Sequence, residues 1–193
     1  MKKALFLAAF VCLTAFAAFA QDKKAADFSG SWTLDVSKSN LGDRGPRIES
    51  MTMTVTQTEK DIKIETATKR LPPPEGAGSG QGSGGGGQGG GMGRGGGFGG
   101  GDGTTTYTLD GKETTTEVEG RMGKTPVKLK AELDGGSKLK LSKSSTFNTP
   151  NGEATITTKE TWTLSDDGKT LTVKRDMETP RGTNSSEMVF TKK

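Results

Sequence analysis

An acid and a base face each other on a strand surface that otherwise carries apolar side chains. Within residues 153–178, Ala154, Ile156, Thr158, Glu160, Trp162 and Leu164 fall at alternate positions and so share one face of an extended strand. Leu171, Val173, Arg175 and Met177 do the same on a second strand. Asp167-Gly168 between them is a preferred two-residue hairpin turn, because both central positions of that turn need positive φ. With that turn Leu164 faces Leu171, Trp162 faces Val173, and Glu160 lands opposite Arg175. Burying a charge is costly unless it is paired, so each is the other's expected partner. The chemistry on offer is anion recognition: a guanidinium meets a carboxylate or another anionic head, and Glu160 holds it in place. Lys143 follows Leu139 and Leu141 on one face and extends the cluster. The competing reading is a structural ion pair near a barrel mouth, without a ligand. Trp32 and Trp162 offer flat surfaces to a ligand or, equally, to the core.

Catalysis has less to work with. The only cysteine is Cys12 and there is no histidine, which excludes imidazole bases and zinc sites of the Cys/His kind. Glu160 is the one acid that alternation turns inward, and its expected neighbour is a base. Asp166-Asp167-Gly168 is too short for a calcium loop. We therefore expect no enzyme, no catalytic residues, no metal and no cofactor.

At the start of the sequence, Met1-Lys2-Lys3, an apolar run over 4–17 and Ala18-Phe19-Ala20 read as a secretory signal peptide over 1–20, cleaved before Gln21. Cys12 leaves with it, and the run is too short to span a membrane. The expected location is periplasmic or extracellular. Loss of Lys2 and Lys3 brings the formal charge of +4 close to neutral, which offers no footprint for nucleic acid or an anionic membrane. Residues 21–27 read as a polar leader.

Residues 72–103 are a different material: three prolines, then mostly glycine with scattered serine and glutamine. Ordering such a tract costs about 1–2 kcal/mol per residue with no apolar surface to offset it, which reads as a disordered insertion. One RGG-like element, Gly93-Arg94-Gly95-Gly96, is a weak signal for RNA outside the cytoplasm.

Around that tract, apolar residues alternate in about ten short segments: near Trp32, Met51 to Val55, Ile62-Ile64, Tyr107, Thr116, Leu129, Leu139-Leu141, Ile156 to Leu164, Val173 and Met188-Phe190. Turn signals separate them and no helix is evident beyond one possible turn in 37–48. The pattern predicts one all-β domain over 28–193, an antiparallel up-and-down β-barrel of eight to ten strands, because closure covers the apolar face and removes exposed edges. A two-layer sandwich is the structural alternative.

The opening FSGSWTL at 28–34 resembles the first strand of the calycins. It matches the F-x-G-x-W-x-L of the fatty-acid-binding proteins and the G-x-W of the lipocalins. Trp162-Thr163-Leu164, Asp167-Gly168-Lys169-Thr170-Leu171 and Met188-Val189-Phe190 resemble small secreted bacterial lipocalin-like proteins. The resemblance implies a barrel that holds a small hydrophobic ligand, in which the opening tryptophan plugs one end. From it and from the inward charges we expect a monomeric binder of a small amphiphile with an anionic head, its site residues Arg175, Glu160, Lys143, Trp162 and Trp32. The alternative is an envelope interaction protein with a filled barrel.

Overall fold

A computed structural model of the chain describes residues 25–42, 47–72, 102–120, 123–134, 137–149 and 152–193. The expected signal peptide, leader residues 21–24, and tract residues 73–101 with their RGG-like element lie outside the described residues.

Among these residues ten strands follow in order: β1 (Gly30–Leu34), β2 (Ile48–Gln57), β3 (Asp61–Arg70), β4 (Gly103–Thr108), β5 (Glu113–Gly120), β6 (Gly123–Asp134), β7 (Lys138–Thr149), β8 (Gly152–Leu164), β9 (Thr170–Thr179) and β10 (Gly182–Lys192). They form one antiparallel sheet in the order β4-β3-β2-β1-β10-β9-β8-β7-β6-β5, curled into a nearly closed up-and-down barrel. One sheet of ten strands removes the sandwich alternative. Among the described residues the helical content is a single 3-10 turn, Val36–Lys38, whose start is capped by the Asp35 carboxylate accepting from the Ser37 and Lys38 N–H groups.

Alternation does the folding work. Threonine, lysine and glutamate face water, where branched and long side chains suit a pleated surface, while the inward positions fill with buried apolar residues. Phe28, Trp32, Leu139 and Leu171 are fully enclosed. The Phe28 ring meets Trp162 edge-on at 6.1 Å, and the Trp32 indole N–H donates to the Phe28 carbonyl at 3.0 Å.

The ladder between β8 and β9 sets Glu160 opposite Arg175, Trp162 opposite Val173 and Leu164 opposite Leu171. The turn that produces this register differs from the expected one. Among the described residues no residue other than glycine has positive φ, and only Gly168 does here, at 65°. Its N–H donates to the Ser165 carbonyl, and the Ser165 N–H closes the hairpin on Thr170, each at 2.9 Å. Asp167 avoids the left-handed conformation, which costs an L-residue about 1–2 kcal/mol. Its carboxylate instead accepts from the Ser165 hydroxyl at 2.5 Å and the Lys169 N–H at 2.9 Å, and those bonds depress its pKa. A longer loop with one left-handed glycine thus keeps the same pairing.

Closure is also incomplete. β4 and β5 are consecutive in the chain yet occupy opposite ends of the strand order. The connection between them turns its hydrogen bonds outward: Leu109 N–H reaches Lys60 and Gly111 N–H reaches Ala131. Each strand is thereby tied to its other neighbour, and a seam is left where full closure was expected.

Candidate functional site

The barrel holds a cavity of about 100 Å³, within about 800 Å³ of free space once its open mouth is counted. Its apolar walls come from Met51 and Met53 on β2, Ile64 on β3, Leu141 on β7, and Met188 and Phe190 on β10. The polar wall comes from Lys143, Thr158, Glu160 and Arg175 on β7 to β9, with Tyr107 supplied by β4. Strand alternation places these groups. Lys143 lies two residues from Leu141 and directly opposite Thr158, while Glu160 lies opposite both Leu141 and Arg175. Lys143, Thr158, Glu160 and Arg175 therefore form a contiguous patch on adjacent strands.

Glu160 is its fixed point. One carboxylate oxygen accepts from Arg175 Nε and the other from Trp162 Nε1, both at 2.7 Å. The Arg175 and Glu160 side chains are only 22% and 14% exposed, so this is a screened-in pair. Hydrogen bonds with an ionised partner are stronger than neutral ones, and the two together leave the carboxylate one orientation. The contact through Nε uses one of the five N–H donors of the guanidinium.

Lys143 and Tyr107 feel this pair. Burial pushes the Lys143 pKa below its ordinary value; Glu160 pulls it back up and Arg175 presses it further down. Burial raises the Tyr107 hydroxyl above its ordinary range, the Glu160 charge adds to that and Arg175 opposes it, so the phenol is neutral at physiological pH. Thr158 is buried, and its hydroxyl oxygen has no hydrogen-bond partner among the described residues. With Lys143 protonated, the wall carries two cations and one anion.

Of the five residues singled out from sequence, Arg175, Glu160, Lys143 and Trp162 line the cavity and Trp32 does not. Trp32 is fully buried, its indole N–H is taken by Phe28, and the Lys192 ammonium lies 5.2 Å from its ring centroid. It is part of the packed core. Met51, Met53 and Met188 line the wall whereas Met177 stands outside it. Tyr107 and Thr158 were not anticipated as site residues. Alternation does turn both inward, but it cannot say that β4 looks across the barrel at β8 and β9.

Among the described residues no cluster of three or more His, Cys, Asp or Glu could hold a metal ion. No helix among them is long and apolar enough to cross a membrane, which says nothing of strands.

No protein-family model matches the sequence, and no curated protein does. Among solved structures, the chain is similar to the zebrafish ileal bile acid-binding protein complexed with cholic acid. The two are 14% identical, with a TM-score of 0.47, over 86% of this chain and 98% of that one. The strand order of the described residues by itself defines an antiparallel up-and-down barrel.

Proposed function

We propose that this barrel reversibly binds a small amphiphile whose anionic head meets Arg175, with Lys143 beside it. The observation that carries this is the Glu160–Arg175 pair on a cavity wall. Glu160 orients the guanidinium while the adjacent lysine leaves the wall one positive charge in excess, which an anion neutralises. The apolar body of the ligand lies against the methionines, whose flexible thioethers adapt to varied shapes. No catalytic step is part of this reading. The basic start, apolar run and small-residue site of 1–20 support an exported protein, periplasmic or extracellular.

The cavity volume favours a second reading. A cavity of about 100 Å³ is below the roughly 150 Å³ of an engineered cavity that admits benzene. A filled barrel acting as an envelope interaction protein is consistent with so little room. Native mass spectrometry of the exported protein, purified without delipidation and then offered octanoate and dodecanoate, separates the two. Bound mass that disappears when Glu160→Leu and Arg175→Met are combined supports the binder. Bare protein that ignores both acids supports the filled barrel.

A further inference from the structure

Every lysine among the described residues is exposed except Lys143. The others stand on the outer surface, many of them in ion pairs such as Lys159 with Glu178 and Lys140 with Asp134. Lys143 alone turns inward, on the face of β7 that carries Leu139 and Leu141, and it lines the cavity beside Thr158, Glu160 and Arg175. A primary amine is a nucleophile only when neutral, and a desolvated lysine favours that form. Burial and the Arg175 charge both act in this direction, against the pull of Glu160. When the amine is neutral, Glu160 and Arg175 cancel and the wall carries no net charge. A neutral polar group then suits the site better than an anion.

We propose that the Lys143 Nζ captures an aliphatic aldehyde as a reversible Schiff base, with its chain against the methionine wall and the Glu160 carboxylate as counter-ion to the protonated imine. This rests on the cavity being a ligand site and changes the polar end of the ligand from an anion to a carbonyl. The Nζ lone pair attacks the carbonyl carbon while the π pair moves to oxygen. Transfer of a proton from nitrogen to oxygen gives the carbinolamine. Its hydroxyl takes up a proton from solvent and leaves as water while the nitrogen lone pair forms the C=N bond, so the remaining N–H proton stays on nitrogen. One neutral amine, one aldehyde and one proton give one protonated imine and one water, with no oxidant or reductant. The protonated imine carries the single charge of an ammonium. Glu160, fixed by Arg175 and Trp162, is already placed to face that charge.

The test is to incubate the full-length mature protein with octanal and cyanoborohydride at neutral pH, then map the reduced adducts by peptide mass spectrometry. Lys143 should be alkylated at least about tenfold faster than Lys159 or Lys140 in the same molecule, because prior binding holds the aldehyde near the amine. Its rate should saturate with octanal concentration while theirs rises linearly. Lys143→Arg should remove that adduct alone. Labelling of Lys143 no faster than of the surface lysines overturns the proposal, and this internal comparison needs no variant to fold. Octanoate binding measured in parallel separates the two failures: octanoate bound without selective alkylation removes only the aldehyde, whereas neither bound removes the ligand site itself.

Discussion

Adjacent residues of β8 carry two ion pairs of the same length in different surroundings. Glu160 meets Arg175 at 2.7 Å on the inner face, with side chains 14% and 22% exposed. Lys159 meets Glu178 at 2.7 Å on the outer face, with side chains 58% and 46% exposed. Distance does not separate them; solvent does. The outer pair exchanges water contacts for one another at little net gain. The inner pair has already given up much of its hydration, so each member depends on the other. An alternating strand thus builds a scaffold contact and a recognition element one residue apart from similar chemistry.

The largest test of that contrast is Glu160→Ala, which strips a half-buried guanidinium and the Trp162 N–H of their acceptor. We expect a loss of about 2–3 kcal/mol, at or just below the roughly 3–5 kcal/mol of a fully buried pair because both side chains keep some solvent. Urea unfolding reads it, and a change below about 0.5 kcal/mol would equate the inner pair with a surface one. Replacing both members, Glu160→Leu with Arg175→Met, should return stability to within about 1 kcal/mol of the parent while abolishing octanoate binding. Retained binding would place the anion elsewhere. Lys159→Ala should cost no more than about 0.5 kcal/mol, and a larger loss in thermal melts would erase the distinction from the other side.

The smallest effect is one of pH. Burial depresses the Lys143 pKa, so over part of the range below 10.5 the unfolded chain binds more protons than the folded one. Stability from this residue is therefore present above 10.5 and falls as pH drops through the folded value. Tyr107 acts oppositely: its raised pKa makes stability fall as pH rises above 10. Below pH 10 the Lys143 contribution should thus slope upward with pH as it approaches the ordinary lysine range, and Lys143→Met should flatten that slope in melts recorded there.

Much of this was legible along the chain because the strands pair mainly with their sequence neighbours. Alternation and a turn at Gly168 fix Glu160 against Arg175, and they do so even though the loop has a different conformation from the one expected. A count of residues sets register, and several loop geometries share that count. What lay beyond reach was height and azimuth in the barrel. Trp32 and Trp162 have the same inward, apolar-flanked pattern, but one is enclosed away from the cavity and the other supports Glu160. Tyr107 joins the site from β4, which reaches β8 through space rather than through any local pairing. The open seam was equally hidden, since it depends on where the Leu109 and Gly111 N–H groups are directed.

That seam bears on how the chain finds its fold. The strands from β1 to β4 make one run of hairpins and those from β5 to β10 another. The runs are stitched by Trp32 against Lys192, Thr33 against Thr191 and Leu34 against Phe190, pairs drawn from far apart in the chain. A circular permutant opened at Gly111, with Lys193 joined to Asp27 through a short linker, would string the strands in the same order along the chain as across the sheet. The distant stitch would become one more hairpin and the seam would receive the new ends. Lower contact order should make that permutant the faster folder.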